Sequence, residues 1–496
     1  MDRPHRESAS VRVAGSLPGP RAQRWIAAFE AGSAPSTYVY PFVWDVSEWA
    51  EGPFCGDPDG NIFLDCCTHV ASAPLGYNHP RILTECGVPF DPIKTADHDF
   101  YLAVGPDPAR PRPLRLPAEA GRFRTAGHLQ QKLFDLSRGF GFDTAFFVNS
   151  GAEAVENAVK IAMHHCWQRL CQRWPAALLE ELCRQLHLPW HPYLTEARTN
   201  YPLFGIAMSG AFHGRTLGAL SLTNSRTVQR EGYAAIPWVR FAPYNDVAFD
   251  FDKLLDQRDL AAIVEAGEAA RVIYEQQKAP RDLLAYVIAE PLQGEGGYII
   301  GETAFLRRLA DFAHRHEALY ISDEVQTGLG RSGRFWAIEH HGVAADIVAA
   351  AKGLRVGAVL SKRQHFPSQP GAISSTWAGG PIATAVAVST LEVIEDEQLM
   401  GNAEILGQEA RSALQAVAER HAAMTNVRGL GLMLAFDLPG AAERAAMVQA
   451  CFQRGLLLLG CGSRGVRLLP PLNLRPRELR LAVTLLEDAL RDVERG

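Results

Sequence analysis

Short apolar runs recur along the middle of the chain at spacings that leave room for a helix between them. Ala145-Phe146-Phe147-Val148, Phe204-Gly205-Ile206-Ala207-Met208, Tyr286-Val287-Ile288-Ala289, Ala318-Leu319-Tyr320-Ile321 and Ile347-Val348-Ala349-Ala350 are the clearest. Apolar runs this short, without polar alternation, read as strands buried on both faces. Strand and helix in repetition predict an α/β fold, with a mostly parallel sheet sandwiched by helices. Such sheets take their ligands outside the carboxyl ends of the strands. The polar residues that follow each run are therefore the first candidates for chemistry.

The pattern changes on either side of this region. Upstream, the turn Asp57-Pro58-Asp59-Gly60-Asn61 leads into Ile62-Phe63-Leu64-Asp65, which predicts a small β element. Downstream, helical spacing over Thr390 to Val417 and Pro476 to Val493 brackets strand-like Leu456-Leu457-Leu458-Leu459 and Val466-Arg467-Leu468-Leu469. The resulting division is a disordered tail over 1–20, an N-terminal segment of a smaller α+β domain over 21–100, a large domain over 101–385 and the rest of the small domain over 386–496. Residues 166–201, helical and carrying Trp and Pro, read as an insertion in the large domain.

Composition narrows the function classes. A chain of 496 residues with 47% hydrophobic and 21% charged residues has the make-up of a soluble globular protein. A net charge of −6 offers no basic field for nucleic acid or anionic lipid. No run of about 18 apolar residues predicts a membrane span. Nine cysteines with no Cys-x-x-Cys pair, behind an N-terminus without an apolar leader core, point to reduced thiols and a cytoplasmic setting. His164-His165-Cys166 and Cys171 fall on the predicted helix begun at Glu153 and lack zinc spacing, so no metal is expected.

Gly328-Leu329-Gly330-Arg331-Ser332-Gly333 spells the dinucleotide fingerprint directly after an apolar run. The fingerprint also needs a crossover helix and an acidic residue at a strand's carboxyl end. Here Arg334 to Ala345 is short for that helix, and Asp346 begins the next run instead of ending it. The chemistry lies in the neighbouring residues. Asp323 closes one predicted strand and Lys352 follows another. A carboxylate facing a pyridinium nitrogen and a lysine able to bond an aldehyde together point to pyridoxal phosphate. The other reading of Lys352 is a solvated lysine in a surface turn before Gly353. Asn149-Ser150-Gly151-Ala152-Glu153, between a strand and a helix, is a phosphate cradle or an ordinary helix cap with Ser150 as the capping residue.

Five segments in order, FFVNSGAEAVENAVKIA, GAFHGRTLGALSLTNS, IAEPLQGEGGY, SDEVQTGLGRSGRFWAIEHHGVAADIVAAAKG and SSTWAGG, resemble the class III (ω-amino acid) aminotransferases among the fold type I pyridoxal phosphate enzymes. The resemblance runs from about Tyr38 to the C-terminus. GAFHGRTLGALSLTNS, EPLQGEGG, AKGLRVGAVLSK and RGLGLMLAFDLPG are similar to lysine 6-aminotransferases, and HVASAPLGYNHP and LLGCGSRGVRLLPPL to animal-type 4-aminobutyrate aminotransferases.

The resemblance implies pyridoxal 5'-phosphate held by Lys352 as its Schiff-base lysine, with Asp323 at the ring nitrogen. It places Gln326 at the phenolic oxygen, Phe212 on the ring with His213 beside it, and Ser150, Gly151 and Ala152 at the phosphate. Thr376 would reach the phosphate from a second subunit, which implies a homodimer with shared sites. Arg215 would bind the carboxylate of a small-molecule amino donor and Arg467 the α-carboxylate of 2-oxoglutarate. Glu295 would switch on and off Arg467, and Glu290 would position that loop. Val70 would line the substrate channel or sit in the core. The implied activity moves the terminal amine of a lysine-, ornithine- or 4-aminobutyrate-type donor to 2-oxoglutarate, giving a semialdehyde and glutamate.

The chain departs from the family pattern in three places. Ala152 stands where Thr is frequent, Leu354-Arg355-Val356-Gly357 replaces a glycine-rich tail, and the cysteine pair of the animal 4-aminobutyrate enzymes is absent, so no iron–sulfur cluster is expected. An amino-acid racemase of the same family and a non-catalytic pyridoxal-binding protein are the alternative readings.

Overall fold

The computed structural model describes residues 6–32, 40–86, 102–104, 126–185, 203–235, 239–268, 272, 276 and 278–495. Seven strands make the central sheet: β1 (Thr144–Val148), β2 (Phe204–Met208), β3 (Val239–Ala242), β4 (Leu284–Ala289), β5 (Leu319–Asp323), β6 (Ile347–Ala350) and β7 (Gly357–Ser361). Their spatial order is β1-β7-β6-β5-β4-β2-β3. The pairs β3–β2, β2–β4, β4–β5 and β5–β6 are parallel, whereas β7 runs antiparallel to both β6 and β1. All five apolar runs read from sequence are strands of this sheet. The pattern left β3 and β7 unassigned, because Val-Arg-Phe-Ala and Gly-Ala-Val-Leu-Ser carry too few large apolar residues to stand out.

Helices cover the sheet for reasons visible in their spacing. α1 (Gly151–Arg173) buries Ala154, Val155, Ala158, Val159, Ile161, Ala162, Cys166 and Leu170, a stripe dominated by small residues that brings the helix close to the strands. α2 (Thr303–Arg315) buries Phe305, Leu306, Leu309, Phe312 and Ala313 at intervals of three and four. The span read as an insertion begins inside a helix: Cys166 to Arg173 are the last turns of α1, and Cys166 Sγ reaches the carbonyl of Leu284 at 3.6 Å. The helix Ala176–Gln185 follows with Leu179 and Leu182 buried, while residues 186–202 lie outside the described residues.

N- and C-terminal segments build the remaining layers together. Phe54–Gly56 pairs with Ile62–Asp65, which pairs in parallel with Leu456–Leu457 across nearly 400 residues of sequence. A second sheet joins Thr425–Leu430, Met433–Asp437, Gly465–Leu468 and Leu459–Cys461 in that order, all antiparallel. Residues 6–19 are not a disordered tail. Arg6 is buried and grips Glu478 through Nε (2.7 Å) and Nη2 (2.9 Å), and Arg12 pairs with Ile62. A buried guanidinium needs such a bidentate partner, and the partner lies 472 residues away. The helical stretch Thr390 to Val417 is also interrupted. Pro381–Asp396 and Leu399–Arg420 are separate helices, broken at Gln398 with φ of 53°. No described helix is long and apolar enough to cross a membrane.

Candidate active site

Five strands that run in the same direction, β1, β2, β4, β5 and β6, end at one cavity of about 420 Å³. Its floor consists of residues at or just after their ends. Ser150 caps α1, accepting from Glu153 N at 3.2 Å, and the Glu153 carboxylate accepts in turn from Asn149 N at 2.7 Å. The capping reading is thus realised, and it leaves the first-turn N–H groups of Gly151 and Ala152 facing the cavity, as a helix mouth must. The loop after β2 packs over this mouth. Gly214, at φ of 138°, lies so near that a Cβ there would stand 2.7 Å from Ala152 Cβ.

Asp323 ends β5 and is fixed by two donors. Val325 N donates to Oδ1 at 2.9 Å and His213 Nδ1 to Oδ2 at 2.6 Å. Burial opposes a charged imidazole at His213, but the hydrogen bond and charge of Asp323 prevail and raise its pKa. Lys352 follows β6 with φ of 45°, a left-handed conformation that is uncommon for a non-glycine residue. Burial first, and the positive charge of Arg467 second, lower the Lys352 amine from its ordinary 10.5 to about 8. Glu290, at the end of β4, accepts from Phe212 N at 3.0 Å and Gly294 N at 2.9 Å, clamping two loops. Burial raises its pKa to about 7.

The opposite wall comes from segments far apart in sequence. Arg467, on Gly465–Leu468, is 3% exposed and meets Glu295 at 2.9 Å. Its Nε and Nη1 are buried without a hydrogen-bond partner. Burial raises the Glu295 pKa, and Arg467 and Arg226 more than reverse this, so Glu295 is held below the ordinary carboxylate value. Thr68 to Ala71 form a turn in which every φ lies between 49° and 66°. Asp65 accepts from Cys67 N and Thr68 N, and Thr68 Oγ1 donates to the Leu469 carbonyl, which together hold Val70 against the cavity.

Of the residues singled out from sequence, Val70, Ser150, Gly151, Ala152, Phe212, His213, Arg215, Glu290, Glu295, Asp323, Gln326, Lys352 and Arg467 line this one cavity. Thr376 does not, and it is exposed on a segment where Ser375 accepts from Asn149 Nδ2 at 3.5 Å. Arg215 is exposed, with its Cζ 5.9 Å from the centre of the Phe212 ring. Sequence reasoning missed His69 and Ser72, which also line the cavity, and Arg226, which pairs with Glu295. No local pattern marks Arg226. Asp65 before a polar pair was the available signal for the turn. Arg355, noted as a departure, lines the cavity and donates to the Ser72 carbonyl at 3.0 Å.

The glycine loop holds no nucleotide site. Glu324, raised to about 7 by burial, accepts from Thr327 Oγ1, Ala337 N and Ile338 N, and so closes the loop on itself. Arg331 is buried and donates to the Pro470 carbonyl. Asp346 starts β6, binding Tyr320 N and His314 Nε2, each at 2.8 Å.

A lysine and a carboxylate at neighbouring strand ends, with a helix mouth beside them, define the fold type I pyridoxal phosphate enzymes. The chain belongs to the class III aminotransferases, since the family model described as Aminotransferase class-III matches residues 119–490. It is 28% identical over 484 residues to the mitochondrial 4-aminobutyrate aminotransferase of Homo sapiens, covering 96% of this chain and 90% of that protein. It is 30% identical over 446 residues to the acetylornithine aminotransferase of Nostoc sp., covering 88% and 87%. Among solved structures, the lysine aminotransferase from M. tuberculosis superposes with a TM-score of 0.69 at 28% identity, covering 95% of this chain and 99% of that one. The ornithine aminotransferase from Toxoplasma gondii, at 23% identity and a TM-score of 0.70 over 96% of each chain, shares the fold.

The cofactor of this family is pyridoxal 5'-phosphate, and the cavity fits it. Lys352 and Asp323 face the same space. Gln326 Oε1 and His213 Nε2 are buried there without a hydrogen-bond partner. A Cβ on Gly151 would stand 2.7 Å from Val325 Cγ1, so glycine keeps the helix mouth this close to Val325 without displacing it.

Proposed function

We propose that this chain moves the terminal amino group of an ω-amino acid, of the lysine, ornithine or 4-aminobutyrate type, to 2-oxoglutarate, giving a semialdehyde and glutamate. The observation that carries the reading is the Arg467–Glu295 pair in the same cavity as Lys352. An arginine that takes the α-carboxylate of a dicarboxylate must be masked when an ω-amine enters, and a neighbouring glutamate is the simplest mask.

Bound pyridoxal phosphate supplies an aldehyde for the amine and a ring that accepts the electron pair left on the substrate carbon. Lys352 Nζ holds the cofactor and moves the proton, and a pKa near 8 suits a group that must both take and give it. Asp323, anchored by His213 and Val325, serves the ring nitrogen. Gln326 donates to the phenolic oxygen and Phe212 covers the ring. Ser150, Gly151 and Ala152 bind the phosphate. Arg215 grips the donor carboxylate and Val70 lines its apolar chain. Glu290 keeps the loop of Glu295 in register through its two backbone contacts. Thr376 of a second subunit completes the phosphate site in a homodimer. The 80% exposed Trp377 and 72% exposed Ile382 beside it support that reading, since an apolar surface of this kind asks for cover. We assign the enzyme to the cytoplasm on the reading of its cysteines as reduced thiols.

The test is a donor panel of lysine, ornithine and 4-aminobutyrate, each with 2-oxoglutarate, followed by glutamate and semialdehyde formation. At least one donor should give both products. Transfer from none, or inversion of a single amino-acid enantiomer without keto acid, would overturn the reading.

A further inference from the structure

Glu295 is held at both carboxylate oxygens, by two different arginines. Oε2 meets Arg467 Nη2 at 2.9 Å and Oε1 meets Arg226 Nη2 at 2.9 Å. The arginines differ in setting. The Arg467 side chain is 4% exposed, whereas that of Arg226, just before the turn Thr227–Gln229, is 38% exposed. One guanidinium stands deep in the cavity and the other just outside its lining, partly open to solvent, with a single carboxylate between them.

We propose that Arg226 is a positioning residue for the acid switch: it retains Glu295 when a dicarboxylate takes Arg467. The inference rests on the aminotransferase reading above and names the part of the protein that lets one cavity accept two unlike substrates. A carboxylate released from Arg467 with no second partner would stay beside the incoming α-carboxylate and repel it, or lie unpaired in a largely buried place, which is costly. Arg226 removes both penalties. Glu295 already touches it, so the exchange breaks one ion pair and keeps the other. The partial exposure matters as well, because a pair partly open to water is weak enough not to trap Glu295 away from Arg467. Arg467 Nε and Nη1, buried and without partners, can engage the arriving carboxylate before Glu295 has left.

The test uses the holoenzyme in four forms besides wild type: Arg226→Gln, Arg226→Lys, Glu295→Gln and the Arg226→Gln/Glu295→Gln double variant. Glutarate, a dicarboxylate without the reacting keto group, is titrated by calorimetry, and the donor and 2-oxoglutarate half-reactions are timed separately. Arg226→Gln should weaken glutarate about tenfold, which corresponds to about 1.4 kcal/mol. It should raise KM for 2-oxoglutarate more than it changes the donor half-reaction. Arg226→Lys should recover most of the loss. In the Glu295→Gln background, with no anion left to retain, the same Arg226→Gln change should cost less than about twofold. Equal losses in the two backgrounds would mean that Arg226 attracts the dicarboxylate directly or only supports the fold, and would overturn the proposal. Failure of the aminotransferase reading would show separately, as a wild-type enzyme that transfers no amine, and glutarate binding would still read out Arg226.

Discussion

The floor and the far wall of the cavity are built in different ways. The floor is made of strand ends: Ser150 and Lys352 follow strands of one sheet and Asp323 ends another strand, and the ladder fixes where these strands end. The wall brings together a left-handed turn at 68–71, a loop at 295 and a strand at 467, and the contacts that hold Glu295 in it are ion pairs between side chains. A rigid floor suits chemistry that is the same for every substrate. A wall of exchangeable ion pairs suits recognition that must differ between two substrates.

Substitutions on the two sides should therefore fail differently. The largest effect is expected on the floor: Lys352→Ala should reduce glutamate formation by about 10³-fold or more with every donor. Retained turnover would remove Lys352 from the chemistry. On the wall, Glu295→Gln should leave the chemical step intact and shift the ratio of kcat/KM for donor and 2-oxoglutarate by about tenfold toward the dicarboxylate, because Arg467 is no longer masked. Equal losses for both substrates would erase the distinction between floor and wall.

The smallest effect links the two sides, since Arg467 helps to depress the Lys352 pKa. In the cofactor-free protein, the rate at which Lys352 captures pyridoxal phosphate should rise with pH to a plateau, with a midpoint near 8 in place of the ordinary 10.5. Between these values the folded lysine binds fewer protons than the unfolded one, so the cofactor-free protein should also gain stability as pH rises through that window. A midpoint at or above 10 would place the amine in water.

The difference between floor and wall also explains what the sequence made legible. Asp323 and Lys352 could be read because each follows an apolar run whose strand character is local, and the sheet rule then says which end carries the ligand. Arg226 could not be read, because its meaning is a contact to Glu295, 69 positions away, with no periodicity to announce it. The same holds for Arg6, which looks like part of a polar tail until Glu478 is seen beside it. Residues 166–201 read as an insertion because they are helical, carry Trp and Pro and hold no chemical cluster, whereas the burial of Cys166 and Leu170, which ties the start of that span into α1, depends on contacts the pattern does not show. The glycine loop matches the nucleotide pattern by spacing alone; it serves a junction with the C-terminal segments, with Gly330 against Met400 and the Arg331 carbonyl accepting from Leu432 N.

That junction limits how the enzyme can respond to its substrates. A Cβ at Gly431 would stand 2.5 Å from Ser332, Leu432 N donates to the Arg331 carbonyl at 3.1 Å, and the Arg331 side chain is threaded under Pro470. The segment around the Arg467 strand is thereby tied to the loop that follows the strand of Asp323, and these contacts oppose a swing of one side of the cavity against the other. On the proposed function, adaptation from one substrate to the next falls to rotamers: a frame held in place, with Glu295 as its one movable latch.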